Sequence, residues 1–252
     1  MMVDLTGRTI VVTGGNSGLG LSMAHGVGRQ GAAIAIWSRT KTRNDEALAE
    51  LREAGIESSA VACDTGDELD VAEAMRETVA RYGKVDCLIA NAGIASTAPF
   101  VDTDLEEWHR VLRTNLDGSF LCTREAARHF VERGEGGSMI VVSSMIARYG
   151  GAGQAAYTTS KNGLIGLGRT LAVELAPHGV RVNILIPGWT ATAMNTHLRE
   201  DEKFMRATTR RTPVRRWAEP EEFHEVAAFL ADPALTFHTG NEVVVDGGYT
   251  IF

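Results

Sequence analysis

Residues Thr9-Ile10-Val11-Val12-Thr13-Gly14-Gly15-Asn16-Ser17-Gly18-Leu19-Gly20 determine the architecture expected of this chain. An apolar, β-branched run of strand length, 9–13, stops at glycine, and a helical pattern follows over 19–30. Glycine admits the positive φ that so sharp a turn demands. With side chains absent, backbone N–H groups at the helix start can approach a pyrophosphate, which the positive helix end favours. A tight βα turn needing small residues for its own sake would read similarly. The strand–turn–helix setting is what makes this one a dinucleotide-site candidate. Its candidate cofactor residues are Gly14, Asn16, Ser17, Gly18, Leu19 and Gly20.

Outward from that turn the alternation repeats. Strand-like runs stand at 9–13, 33–38, 59–63, 87–90, 138–143, 181–186 and 242–246. Several are almost continuously apolar, as strands covered on both faces of a parallel sheet are. Helical spacing fills 19–30, 44–54, 68–82, 105–133, 155–176 and 219–230, and Gly31, Gly55, Gly83, Gly134 and Pro177 stand where those helices should stop. Strand and helix in turn imply βαβ units with right-handed crossovers. The fold class expected is α/β: a Rossmann-type, doubly wound parallel sheet of about seven strands with helices on both faces. No repeat or linker divides it, so 1–252 reads as a single dinucleotide-binding and catalytic domain. The irregular interval at about 187–217 is too long for a plain connection and reads as a substrate loop or lid.

Composition closes off other classes. With 252 residues, 44% of them hydrophobic and 23% charged, the chain can bury a large core and is too apolar to be disordered. Its net charge of −7 repels phosphate backbones, so no nucleic-acid partner is expected. Apolar stretches such as 10–12 and 184–186 fall far short of the ~18 residues of a membrane span. The opening residues, where Met1-Met2 leaves the true start open, lack the basic-then-apolar order of a secretory signal. Cys63, Cys87 and Cys122, odd in number and widely spaced, suit a reducing cytosol better than a disulfide scaffold or a zinc knuckle. The seven histidines show no metal-ligand spacing and read as scattered polar surface, so no metal is expected; only His197, in the irregular interval, would reach a substrate. The expectation is a cytoplasmic protein with a small-molecule partner and no membrane attachment.

Three further stretches carry chemistry. At the end of the second strand, Ser38 stands where an NAD site usually offers a carboxylate to the ribose 2′-OH, and Arg39 and Lys41 follow. Cations without an acid favour NADP over NAD, although a solvated basic loop is the plainer alternative. Tyr157 and Lys161 lie four apart at the start of a helical segment, hence on one face. An ammonium near a phenol favours phenolate and lowers the tyrosine pKa from its ~10 reference, each unit being worth ~1.4 kcal/mol. Such a pair also occurs by chance on a surface helix. Ser144 ends an apolar strand at the carboxyl edge of the sheet, where open α/β folds bind ligands, and its hydroxyl would polarise a substrate carbonyl. Asn115, inside the long 105–133 segment, would hold a water that relays protons to Lys161, or would be a helix-interior amide satisfied by local backbone.

Together these residues resemble the short-chain dehydrogenase/reductase superfamily, in its single-domain form, essentially end to end. The resemblance rests on the 13–20 turn, Asp64, Asn91-Ala92-Gly93, Asn115, Ser144, Tyr157, Lys161, Pro187-Gly188 and the Val245–Tyr249 run. It implies that Tyr157 exchanges the proton with substrate, Ser144 stabilises the same oxygen, Lys161 also binds the nicotinamide ribose and Asn115 keeps the relay water. It further implies that Asp64 and Thr65 lie by the adenine, and Asn91, Ala92 and Gly93 beside the cofactor. Pro187, Gly188, Thr190 and Thr192 would stand on the carboxamide side. A homotetramer is implied through the long helices and the C-terminal segment. The cofactor would be NADP by preference, or NAD, and the hydride belongs to it.

Two departures qualify the likeness: Ala147 stands for a glycine frequent after the Ser144 strand, and Ile186 for a smaller residue before Pro-Gly. Both would reshape the substrate wall, for which Ala95, Ser144, Met145, Arg148, Tyr149, Gln154, Trp189 and Met194 are candidates. Trp189 and Tyr149 suggest a ring or aliphatic face to cover, and Arg148 a carboxylate to meet. The reaction expected interconverts a secondary alcohol and a ketone in a sugar acid, a 3-oxoacyl compound or a cyclic alcohol. The basic run Arg206, Arg210, Arg211, Arg215, Arg216 is expected to pair with nearby acids. A nucleotide-sugar epimerase or dehydratase would use the same Tyr–Lys pair but usually adds a C-terminal domain. A non-catalytic dinucleotide sensor would have lost one of the three reactive residues.

Overall fold

The computed structural model describes residues 3–252, so the doubled methionine at the start lies outside the described residues. Seven strands form one parallel sheet: β1 (Thr9–Thr13), β2 (Ala33–Trp37), β3 (Ser58–Val61), β4 (Cys87–Ala90), β5 (Gly137–Val142), β6 (Val180–Pro187) and β7 (Glu242–Val245). Their order is β3-β2-β1-β4-β5-β6-β7. The chain therefore winds outward one way from β1, then returns to β4 and winds the other way. Between the carboxyl ends of β1 and β4 no crossover covers the sheet, and a crevice opens there.

Alternation along each strand splits the core in two. Ile10 and Val12 point with Ile34, Ile36, Cys87 and Ile89 into one face, against Met23, Val27, Leu51, Phe223 and Leu230. Val11, Ala35 and Trp37 point into the other with Leu88 and Val141, against Val71, Met75, Phe130 and Leu164. Each such buried aliphatic side chain contributes ~1.5–3 kcal/mol, so a one-residue slip of register would expose a whole face. The first face is covered by α1 (Gly18–Gly28), α2 (Lys41–Glu53) and α9 (His224–Ala231), the second by α3 (Glu68–Tyr82), α5 (Gly118–Arg133) and α6 (Ala155–Leu175).

Two segments differ from expectation. The single long helix at 105–133 is α4 (Leu105–Leu112) and α5, joined by a π-helical turn at Arg113–Asp117. The irregular interval folds into two helices, α7 (Thr196–Glu200) and α8 (Glu202–Arg211); Asp201 caps α8 by accepting from the Lys203 and Phe204 amides. A parallel bridge between Thr190 and Ala218, together with Trp189 stacked on Trp217 at 4.9 Å, ties the two ends of this excursion together.

Candidate active site

At the carboxyl edge of the sheet lies a cleft of about 640 Å³. Its floor is the glycine-rich turn. Gly18 has φ +52, and a Cβ on Gly20 would fall 2.4 Å from the Gly14 carbonyl and 2.5 Å from Asn91 Nδ2. Only glycine lets α1 begin so close to the ends of β1 and β4. The Asn91 amide donates to the Thr13 carbonyl at 3.1 Å, and the Thr13 hydroxyl accepts from the backbone amides of Asn91 and Ala92. The turn and the β4 loop are thus held together as one cradle, with room left by the glycines for a ligand's close approach.

Lys161 is buried, and its Nζ donates to the Val142 carbonyl at 2.9 Å. Burial pushes its pKa down to about 8. Its ammonium stands 5.7 Å from the centre of the Tyr157 ring, one helical turn away on α6. A Cβ on Gly93 would sit 3.5 Å from that ammonium and 3.4 Å from Asn115 Oδ1. Ser144 contributes a hydrogen bond that lowers the Tyr157 phenol, but burial outweighs it and the net shift is upward. The expected lowering by Lys161 is therefore not produced by this geometry alone, because the phenol is desolvated while the ammonium lies over the ring face. Serine, tyrosine and lysine nonetheless share one wall of the cleft.

Asn115 is fully buried and does not reach that wall. Its Oδ1 accepts from the Ile94 amide at 2.8 Å; its Nδ2 donates to the Ile94 carbonyl at 3.0 Å and to Ser160 Oγ at 3.1 Å. The amide is satisfied by a neighbouring loop rather than by its own helix, and the π turn is what carries it there.

Most of the other candidates line the cleft: Gly14, Asn16, Ser17, Leu19, Ser38, Arg39, Thr65, Ala92, Pro187, Gly188, Thr190 and Thr192 on the cofactor side, and Ala95, Met145, Tyr149, Gln154, Trp189 and Met194 on the other. Three do not. Asp64 turns out to pair with Arg113 at 3.1 Å and accepts from the Gly66 amide, leaving Cys63 and Thr65 in the wall. Lys41 does not line the cleft, whereas Arg43, two residues further on, does. Arg148 binds Glu242, whose other oxygen takes Arg169, so its charge is already answered. The basic run pairs as expected at Arg206–Glu202 and Arg216–Glu222, but Arg211 stacks on Tyr149 and Tyr249 instead. His25 departs from the surface expectation: it is buried, bonded to Glu50 at 2.7 Å. No group of three metal-ligating side chains occurs among the described residues.

Sequence reasoning missed Arg43, Ile94 and Ile146 in the wall. A signal for Arg43 existed. The first turn of α2 holds Lys41 and Arg43 and no acid, and Thr40 makes no capping bond. Cations at a helix start oppose the macrodipole unless an anion docks there. Asn44, behind it, accepts from Asn16 at 2.8 Å and donates to the Ser38 carbonyl at 2.9 Å, binding the glycine-rich turn to the end of β2.

A doubly wound sheet with a glycine cradle at its switch point and a Ser–Tyr–Lys wall defines an NAD(P)-dependent oxidoreductase acting on CH–OH groups. Comparison with known proteins agrees: the family model described as enoyl-(acyl carrier protein) reductase matches residues 13–250. The chain belongs to the short-chain dehydrogenase/reductase family and interconverts a secondary alcohol and a ketone. It is 40% identical to cis-4-hydroxycyclohexanecarboxylate dehydrogenase of Sinomonas cyclohexanicum, over 96% of each chain. To 5-keto-D-gluconate 5-reductase of Escherichia coli K12 it is 34% identical, over 99% of this chain and 98% of that one. A crystal structure of gluconate 5-dehydrogenase from Burkholderia cenocepacia with NADP and tartrate superposes with a TM-score of 0.94, at 33% identity, covering 99% and 97% of the two chains.

Proposed function

We propose that this enzyme oxidises the secondary alcohol of an alicyclic hydroxy acid, with NADP preferred over NAD. The composition of the substrate end of the cleft carries this reading. Around Ser144 and Tyr157 stand Ile94, Ala95, Met145, Ile146, Trp189, Met194 and Leu198, against a smaller set of polar side chains that includes Thr97, Tyr149, Gln154 and His197. An open-chain sugar acid would bury four or more hydroxyls there, each costing ~1–3 kcal/mol if left unpaired. A cyclohexane ring has none to pair. The Sinomonas relative acts on such an acid, and the Burkholderia relative holds NADP.

In this reading Tyr157 takes the hydroxyl proton, Ser144 donates to the same oxygen, and Lys161 opposes the upward push of burial on the phenol. The nicotinamide, when bound, supplies the hydride acceptor. Asn115 acts as a positioning residue, holding the Ile94 loop and, through Ser160, the helix that bears Tyr157 and Lys161. Arg39 and Arg43 meet the 2′-phosphate. The excursion at about 187–217 serves as a lid over substrate. Three buried free thiols support a cytoplasmic location. Exposed Phe100, Leu105 and Phe120 near α4–α5 and Ile251 and Phe252 at the C-terminus support a homotetramer.

The deciding experiment compares cis-4-hydroxycyclohexanecarboxylate, gluconate and a 3-oxoacyl thioester with both cofactors. The alicyclic acid with NADP should give the highest kcat/KM; a higher value for gluconate overturns the substrate reading. Tyr157→Phe should keep cofactor binding while turnover falls by ~10²–10⁴. Undiminished turnover overturns the mechanism.

A further inference from the structure

The substrate end of the cleft holds two buried hydrogen-bond donors, Trp189 Nε1 with nothing to donate to and the Tyr149 hydroxyl with only the Tyr249 phenol beside it. Among the described residues, neither Trp189 Nε1 nor Tyr149 Oη, both buried, closes a short hydrogen bond, and both residues line the cleft. They follow adjacent parallel strands, Tyr149 seven residues beyond the end of β5 and Trp189 two beyond the end of β6, and both pack on Tyr249, at 5.7 and 6.5 Å between ring centres. A buried donor left unpaired costs ~1–3 kcal/mol, so such a group calls for an explanation.

Trp189, Tyr149 and Arg211 have one chemistry in common. An indole N–H donates and cannot accept. Burial beside the Tyr249 phenol holds the Tyr149 hydroxyl well above the ordinary tyrosine range, so it keeps its proton at any working pH. The Arg211 guanidinium lies 5.0 Å from the centre of the Tyr149 ring and 4.4 Å from that of Tyr249, and pairs with no carboxylate among the described residues. A cation on the ring face draws charge from the phenol and strengthens it as a donor. Asp246, the nearby acid, is engaged by the amides of Gly248 and Thr250 and by the Thr250 hydroxyl. A substrate hydroxyl would bring a further proton to a corner already rich in donors. An acceptor-only group with two oxygens and a negative charge fits both donors and the cation at once.

We infer that Trp189 and Tyr149 receive the carboxylate of the substrate, with Arg211 behind them offsetting its charge. This inference rests on the hydroxy-acid reading given above and adds the point at which the acid is recognised. Charge-assisted hydrogen bonds made away from bulk water are the strong ones, and two of them to one carboxylate fix its orientation as well. The ring between carboxylate and carbinol then lies along the Met145–Met194 wall, with the hydroxyl towards Ser144 and Tyr157. Arg148, the cation expected from the sequence to play this part, is engaged by Glu242.

The test is the ratio of kcat/KM for cis-4-hydroxycyclohexanecarboxylate to that for cyclohexanol, with the methyl ester of the acid as a third substrate. Wild-type enzyme should favour the acid over both others by at least tenfold. Trp189→Phe and Tyr149→Phe, which keep the rings and delete one donor each, should each lower that preference tenfold or more, chiefly through KM. Arg211→Gln should lower it in the same direction. Cofactor titration of the same preparations reports the folded fraction, so a misfolded variant is recognised and the remaining two still decide. A wild-type enzyme indifferent to the carboxylate overturns the hydroxy-acid reading and this inference with it. A wild type that favours the acid, with the preference intact in the folded Phe variants, overturns this inference alone.

Discussion

Lys161 carries its charge where the surroundings oppose it. An unfolded lysine titrates near 10.5, whereas burial brings this one to about 8. Between those values the unfolded chain binds more protons than the folded one, so stability rises with pH across that window. Chemical denaturation of wild type and Lys161→Met from pH 7 to 10 should show wild type gaining on the variant above pH 8. Parallel curves would mean that Lys161 is not desolvated. Asn115 presents the opposite case, a buried polar group with every bond made. Asn115→Ala strips partners from the Ile94 amide and carbonyl and should cost ~2–5 kcal/mol in denaturant unfolding, from unpaired groups and cavity together. A loss below ~0.5 kcal/mol would show the brace to be dispensable. Tyr157 and Lys161 were legible because their i, i+4 spacing is a local property of the helix. The bonds of Asn115 were not, because its partner Ile94 lies on another loop and is reached only through a π turn.

At the scale of elements, α2 begins badly as an isolated helix and well as an anion site. Lys41 and Arg43 oppose its dipole, and no side chain caps it. Arg43→Ala should therefore weaken NADP binding about tenfold while leaving NAD nearly unchanged, measured by fluorescence titration, since a partly exposed cation–phosphate pair is worth ~1–2 kcal/mol. Equal weakening of both cofactors would place Arg43 away from the 2′-phosphate. Helical periodicity showed that α2 exists but placed its start at 44, three residues late. The first turn carries no apolar residue to mark it. Within 105–133 the pattern likewise runs through the π turn without a break, since the buried positions Val111, Asn115, Gly118, Ser119 and Cys122 keep a helical spacing of three and four across it.

For the whole molecule, the two wings of the sheet meet at the cleft, so a ligand bridging them stabilises the fold by mass action. NADP at a hundred times its Kd should add about 2.7 kcal/mol, or a rise in Tm of roughly 5–10 °C for a chain of this size. NAD at the same concentration should add less. A larger shift with NAD overturns the cofactor preference. The excursion at about 187–217 is tied at its neck by the Thr190–Ala218 bridge and the Trp189–Trp217 stack.

What the amino-acid sequence determined by itself was everything that repeats locally: the order of strands and helices, the glycines of the cradle and the residues at the carboxyl edge of the sheet. Backbone conformation and burial period are written within a few residues of where they act, so they survive reading in one dimension. The tertiary structure alone decided which charges are free. Arg148 is engaged by a glutamate 94 positions away, and Asp64 by an arginine on the π turn, while Arg43 and Arg211 meet no acid among the described residues. Pairing of long, flexible side chains depends on partners that only the folded sheet brings within a few ångströms.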